Sequence, residues 1–211
     1  MPNNTKPAIS PAVIRRLPRY LRQMDMLLEN NITRVSSGEL AARLGLTASQ
    51  IRQDLNCFGG FGQQGFGYNT QRLRDSIAGI LGLDRGYTAI LIGVGNLGRA
   101  LLGKYSSLFT GFSLIGAFDI NPSSESVEEV TVYHMDRLES FISERSPQAA
   151  VLTLPAEAAY ETARRLGAAG VKGIWNFTGA DLQGLALTVE NVSLSDSMMT
   201  LCYAISQLNQ E

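Results

Sequence analysis

The chain has 211 residues, 45% of them hydrophobic, enough for one large domain or two small ones around a buried core. Its longest apolar runs, such as residues 89–92 and 149–154, fall far short of the roughly 18 residues of a membrane span, and the opening MPNNTKPAIS lacks the parts of a secretory signal, so a cytoplasmic protein is expected. The formal net charge is −1, and Cys57, Cys202 and the single histidine, His134, stand in no metal-ligand spacing, which excludes a structural zinc or iron–sulfur site built from the usual ligands.

The near-zero charge hides two opposite halves. Residues 1–85 hold 11 Lys and Arg against 6 Asp and Glu, a net of +5, whereas residues 86–211 hold 7 against 13, a net of −6. Such asymmetry is expected when one half meets a polyanion, although chance clustering of solvated charge produces the same counts. A helical pattern gives way to a strand pattern near Arg85, so the expected organisation is 1–85, 86–193 and a terminal segment 194–211.

In the first half, Ile14, Leu17, Leu21, Met24, Leu27 and Leu28 recur at helical spacing, with Arg15, Arg16, Arg19 and Arg22 on the polar face. Pro18 interrupts the run and is expected to start the main helix. Two capping boxes follow, Ser36-Ser37-Gly38-Glu39 and Thr47-Ala48-Ser49-Gln50, each before a short amphipathic stretch. Gly45 between them supplies a left-handed helix end, so the pair reads as a helix-turn-helix whose second helix presents Ser49, Gln50, Arg52 and Gln53. Arg and Gln suit guanine and adenine edges. A helical hairpin that binds nothing is the alternative.

Residues 59–68 place five glycines among aromatics around a polar tip, the pattern of a short two-stranded hairpin. Helix-turn-helix plus hairpin is a winged helix. The candidate contacts to double-stranded DNA are Arg15, Arg16, Arg19, Ser36, Ser37, Thr47, Ser49, Gln50, Arg52 and Gln53, with Gly62, Gln63 and Gln64 on the wing.

The second half opens with a buried-strand pattern, residues 87–92, running into Gly93-Val94-Gly95-Asn96-Leu97-Gly98 and then a helical stretch. In this context G-x-G-x-x-G is a dinucleotide fingerprint: Gly93 for the tight turn, Gly95 for close approach of a pyrophosphate, Gly98 for helix–strand packing. A second strand ends at Asp119, 21 positions beyond Gly98, where an acid bonds the ribose diol and favours NAD over NADP. An S-adenosylmethionine site uses a similar turn and acid and stands as an alternative. Helix 135–144, strand 149–153, helix 156–169 and strand 173–176 continue the alternation into a doubly wound parallel α/β sheet. Pro155 and Phe177, beyond strand ends, join Gly93, Val94, Gly95, Asn96, Leu97, Gly98 and Asp119 as candidate cofactor contacts.

A dehydrogenase needs a proton relay beside the nicotinamide. His134 falls at a strand-to-helix junction, Lys104 in the first helix of this fold and Lys172 in a loop, so binding of NADH and NAD+ without turnover is the reading, with no catalytic residue assigned. A small NAD-dependent oxidoreductase with a basic helical cap is the alternative. In the terminal helix, residues 194–208, Met198, Leu201, Cys202, Ile205 and Leu208 form an apolar stripe that points to docking on another subunit.

A winged helix before an NAD-type Rossmann domain and a terminal helix resembles the Rex family of bacterial redox-sensing transcriptional repressors. The resemblance spans nearly the whole chain and rests on Leu17-Pro18-Arg19-Tyr20-Leu21-Arg22, Val35-Ser36-Ser37, Ile51-Arg52-Gln53-Asp54-Leu55, residues 58–69, Gly93 to Gly98, Phe118-Asp119, Leu154-Pro155-Ala156 and Val189-Glu190-Asn191-Val192. It implies a homodimer with exchanged terminal helices on a palindromic operator, released by NADH and retained with NAD+. It also implies that Arg22 and Tyr105 join a switch network with an acid near the C-terminus. Here Val192-Ser193-Leu194 stands where the family has Val-Asp-Leu, with Asp196 three residues on, and Thr178-Gly179 replaces the family's Ala-Pro. Ser193 therefore puts the strength of the switch in question and keeps open a scaffold that has lost its ligand response.

Overall fold

A computed structural model describes residues 9–59, 62–63, 67–104, 109–122 and 125–208, and the chain falls into two units, Met1–Asp84 and Arg85–Glu211. In the first, the Ser10 hydroxyl accepts from the Ala12 amide and opens α1 (Pro11–Glu29), whose buried stripe is Val13, Leu17, Tyr20, Leu21, Met24 and Leu27. Pro18 lies inside α1 and does not start it, which corrects the expected break. A proline in a helix interior costs about 3 kcal/mol. Full burial of a large apolar side chain contributes roughly 1.5–3 kcal/mol, and buried residues lie on both sides of Pro18, so packing carries the helix through it.

The strand β1 (Arg34–Val35) leads to α2 (Ser37–Leu44) and α3 (Ala48–Asn56). Ser36 and Glu39 make the full reciprocal box at the start of α2, and Gly45 ends that helix at φ 65°. The second box is half made: Thr47 accepts from the Gln50 amide, but the Gln50 side chain bonds Asp54 one turn on. The missing half would need the Gln50 side-chain oxygen to accept from the Thr47 backbone amide, but the side chain is turned the other way, with Nε2 donating to the charged acceptor Asp54. The wing, expected as two strands, is a three-stranded antiparallel sheet in the order β1, β3 (Gly67–Asn69), β2 (Gly62–Gln63). Gly67 is required there, because it sits at φ 67° and an added Cβ would lie 2.6 Å from the Val35 carbonyl oxygen. Asn69 then caps α4 (Thr70–Ile80), which closes a core containing Leu17, Tyr20, Met24, Leu40, Ile51, Leu55, Leu73 and Ile77.

The second unit is a seven-stranded sheet. Its strands are β4 (Tyr87–Ile92), β5 (Phe112–Asp119), β6 (Ser126–Val127), β7 (Val130–His134), β8 (Ala149–Leu152), β9 (Gly173–Asn176) and β10 (Thr188–Asn191), in spatial order β10-β9-β8-β4-β5-β7-β6. All neighbours are parallel except the β6–β7 edge hairpin. Chain order reverses at β4, where β5 lies on one side and β8 on the other, and such a switch point opens a crevice at the strands' carboxyl ends. The central β4 is apolar on both faces: Ile90 and Ile92 pack with α6 (Leu138–Arg145) and α7 (Ala156–Ala168), and Leu91 packs with α5 (Asn96–Leu102). The expected helix at 135–144 begins as a 3₁₀ turn, Met135–Arg137, before α6. The last helix, α8 (Leu194–Leu208), has no buried residue.

Candidate DNA interface and dinucleotide site

Ser49, Arg52 and Gln53 are exposed on α3. Arg52 Nη1 donates to Ser37 Oγ at 3.0 Å, which braces the guanidinium over the start of α2, and the fork retains further N–H groups able to meet a base edge. Arg15 and Arg22 are exposed on α1, and Arg19 Nη2 donates to the Leu44 carbonyl at 2.9 Å, at the C-terminal end of α2. Ser36 and Thr47 are engaged as helix caps. Gly62 and Gln63 pair with Tyr68 and Gly67 in the wing sheet. Gln64 and Tyr105 lie outside the described residues.

Two further candidate contacts, Arg16 and Gln50, converge on one buried carboxylate. Arg16 donates from Nε to Asp54 Oδ2 at 2.6 Å and from Nη2 to Oδ1 at 2.8 Å, Gln50 Nε2 donates to Oδ1 at 2.7 Å, and the Tyr20 hydroxyl donates to Oδ2 at 2.6 Å. Asp54 itself is 1% exposed. Burial pushes its carboxyl up, but the hydrogen bonds from Arg16, Tyr20 and Gln50 outweigh that and hold it below the ordinary value. Burial and the bond to Asp54 push the Tyr20 phenol up.

With the folded value lowered, the carboxylate's contribution to stability is fully present above about pH 4, the ordinary value, and is lost as pH falls through the folded value. Thermal melts should therefore fall more steeply below pH 4 in the parent protein than in Asp54→Asn, which has no proton to take up there. Parallel profiles would remove Asp54 from the acid response.

In the second unit the glycine-rich turn is held from three sides. The Gly93 amide bonds the Phe118 carbonyl at 2.8 Å, Thr153 Oγ1 donates to the Gly93 carbonyl at 2.6 Å, and the Val94 amide donates to Asp119 Oδ2 at 2.7 Å. Gly93 takes φ 96°, and a Cβ there would sit 2.8 Å from the Leu154 amide nitrogen. A Cβ on Gly98 would collide with the Gly93 carbonyl, while one on Gly95 meets open space. Two of the glycines thus fit the protein to itself, and the third leaves the space beside it open.

That open space belongs to a cavity of about 390 Å³, lined among others by Gly93, Gly95, Asp119, Ile120, Thr153, Leu154, Pro155 and Thr162. The carboxylate of Asp119 already accepts from the Val94 and Asn121 amides, and with roughly four acceptor sites it retains capacity for a diol. Asn96 and Leu97 are exposed at the start of α5, and Val94 is buried. Phe177 is not among the residues lining this cavity: its ring packs edge-on against Trp175, with centroids 4.7 Å apart, in the apolar cluster that holds Val94 and Leu101. Thr153, Ile120 and Thr162 were not singled out by sequence. Thr153 reads there only as a strand end, since its bond to Gly93 spans 60 positions.

A basic winged helix joined in one chain to a Rossmann nucleotide domain defines a class of DNA-binding proteins with a built-in ligand site. The family described as putative DNA-binding protein N-terminus matches residues 8–56, and that described as CoA binding domain matches residues 84–180; coenzyme A and NAD share an adenosine joined to a pyrophosphate, the part such a glycine turn serves. Redox-sensing transcriptional repressors Rex from Caldicellulosiruptor bescii and Caldanaerobacter subterraneus are 47% and 48% identical over 205 residues, covering 96% of this chain and 94% and 92% of theirs. The crystal structure of RSP, a Rex-family repressor, in complex with β-NAD+ and operator DNA matches with a TM-score of 0.88 at 47% identity over 96% of this chain and 94% of that one; RSP in complex with β-NADH matches at 0.87 and 44%, over 96% and 97%. The chain belongs to the Rex family of redox-sensing transcriptional repressors.

Proposed function

We propose that this protein is a transcriptional repressor that senses the NADH/NAD+ ratio, binding a palindromic operator as a homodimer with NAD+ and leaving it with NADH. One observation carries the reading: the exposed Arg52 face and the cavity framed by Gly93, Gly95 and Asp119 occur in one chain whose relative RSP is seen with NAD+ on operator DNA and also with NADH. The relatives are named as repressors, which supports sensing without turnover and a cytoplasmic site of action. A mobility-shift titration on a palindromic operator, with NADH and NAD+ run in parallel, tests it. Release by NADH alone is expected; equal response to both sinks the sensing role.

Dimerisation is supported by α8. Leu194, Met198, Met199, Leu201, Tyr203, Ile205 and Leu208 are all large, apolar and exposed, so the helix is apolar around much of its circumference and not along one stripe. Such a helix is one that is buried on several sides, which fits exchange between subunits. Its start is also informative. The Ser193 hydroxyl accepts from the Asp196 amide at 3.2 Å, capping α8. Serine and aspartate cap equally well, so relative to the family acid this residue keeps the cap and lacks only the charge.

The candidate switch group is Arg22, Tyr105 and position 193. A ligand shifts two states only by its differential affinity for them, and without the acid the states are expected to differ by less. Ser193→Asp should then widen the ratio of operator affinities with and without NADH by about fivefold, the value of roughly 1 kcal/mol for a partly exposed ion pair. An unchanged ratio places position 193 outside the switch.

Cofactor choice is assigned to Asp119. NADH should bind more tightly than NADPH by calorimetry, because a carboxylate repels the 2′-phosphate. Asp119→Ala should weaken NADH roughly 10- to 150-fold, the scale of a lost charge-assisted hydrogen bond of roughly 1.5–3 kcal/mol, and narrow the preference. Equal affinities in the parent protein refute the ribose role.

A further inference from the structure

The recognition helix α3 is fixed by one buried charge. Asp54 lies on its inner face beside Ile51 and Leu55, which are 0% and 1% exposed. Those two side chains alone would seat the helix against the core but would resist its rolling weakly, because apolar contact has no direction. A carboxylate bonded by four donors is different. Arg16 takes it from α1 in a two-pronged, planar contact, Tyr20 takes it from the next turn of α1, and Gln50 takes it from one turn earlier on α3 itself. Hydrogen bonds weaken steeply with angle, so this cluster sets the roll of α3 about its own axis.

Roll matters because the reading groups stand at the ends of long side chains. About 10° of rotation moves a group roughly 6–7 Å from the helix axis by about 1 Å, enough to spoil a two-pronged contact to a base edge. Asp54 is never presented to DNA, and the amide of Gln50 is directed to Asp54.

We propose that Asp54 is a positioning residue for operator reading: through Arg16, Tyr20 and Gln50 it locks α3 to α1, so that the angle at which Arg52 and Gln53 are presented is set by α1, and Gln50 acts inward as part of this lock and not as a base contact. The proposal rests on the DNA-binding reading above and deepens it. α1 also carries Arg22, so a force applied at Arg22 acts on the same helix that holds α3. A buried ionic cluster is weak evidence for stability, since apolar residues of similar volume often do as well, and its better-attested use is to select one arrangement among several.

The full-length protein supplies the test. A duplex selected by the parent protein from a random pool is titrated by fluorescence anisotropy beside an unselected duplex and a panel in which each base pair of one half-site is changed singly, at a temperature well below melting. In Asp54→Asn, affinity for the selected duplex should fall at least tenfold, while affinity for the unselected duplex and its salt dependence change less than twofold. The penalties across the half-site should flatten together, whereas Arg52→Ala flattens one position. NADH affinity should not move. Gln50→Leu, which removes one donor from the cluster, should give the same uniform flattening to a smaller degree, and it decides the matter with Tyr20→Phe if Asp54→Asn does not fold.

Unchanged affinity for the selected duplex in folded Asp54→Asn, or in Gln50→Leu and Tyr20→Phe where they stand in for it, overturns the proposal and leaves the cluster structural. A change in Gln50→Leu confined to one base pair overturns it in another way, by making Gln50 a reader. Failure of the parent protein to select any duplex would instead remove the DNA-binding reading itself.

Discussion

Alanine at Gly95 is expected to leave the melting temperature of the protein without ligand unchanged while weakening NADH about a hundredfold, whereas alanine at Gly93 or Gly98 lowers the melting temperature as well. The difference follows from what each added methyl group meets. At Gly95 the backbone is extended and the space outside is open, so the methyl group meets no neighbour. The cost of alanine as the N-cap of α5 is offset by the lower entropy of the unfolded chain, and the methyl occupies the place where a pyrophosphate must approach. At Gly93 it meets the backbone of Thr153 and Leu154 within 2.9 Å at φ 96°, combining left-handed strain of about 1–2 kcal/mol with overpacking of about 1–3 kcal/mol. At Gly98 it meets the Gly93 carbonyl, which Thr153 holds in place. A loss of about 3 kcal/mol corresponds to a fall on the order of 10 °C in a domain of this size. Gly95→Ala should also stay on its operator at NADH concentrations that release the parent protein. Full NADH affinity in Gly95→Ala would show that the ligand's phosphates lie elsewhere.

Arg52→Ala should weaken operator binding by about 1–3 kcal/mol, roughly 5- to 150-fold, with relaxed discrimination at one base pair. Its stability should hardly change, because the hydrogen bond Arg52 makes among the described residues is one exposed contact to the Ser37 hydroxyl. Arg52→Lys tests the same point more finely, since an ammonium keeps the charge and loses the planar fork. Binding of the parent protein should also fall as salt rises, through counterion release at phosphates, and Arg52→Ala should reduce that dependence only slightly. An Arg52→Ala variant that binds its operator as tightly as the parent at matched salt would mean that another face of α3 reads the DNA.

Much of the architecture was legible in the sequence because the signals are local. The stripe from Leu17 to Leu27, the box at Ser36 and Glu39 and the left-handed Gly45 each involve residues within a few turns of one another. Strand β4 running into Gly93, Gly95 and Gly98, with an acid 21 positions beyond, is likewise a pattern of period and distance along the chain. Such patterns state which backbone form a segment takes and which face it buries. They do not state what a polar side chain on that segment will touch.

Gln50 and Arg16 show the limit. Both carry the chemistry of DNA contacts and both stand where a helix could offer them outward, yet they converge on Asp54, with Arg16 reaching it across 38 positions. The winged helix, the dinucleotide turn and Asp119 as the residue at the end of the second strand could all be read along the chain, because spacing encodes helix ends, strand ends and tight turns. It takes the folded chain to show that Asp54 is the buried hub of α1 and α3, that Thr153 clamps the turn at Gly93, that β1 completes the wing sheet and that Phe177 packs on Trp175. The reason is that each of these depends on how segments far apart in the chain come into register. A hydrogen bond or ring contact is settled by positions within about an ångström, and a one-dimensional pattern carries no such distance.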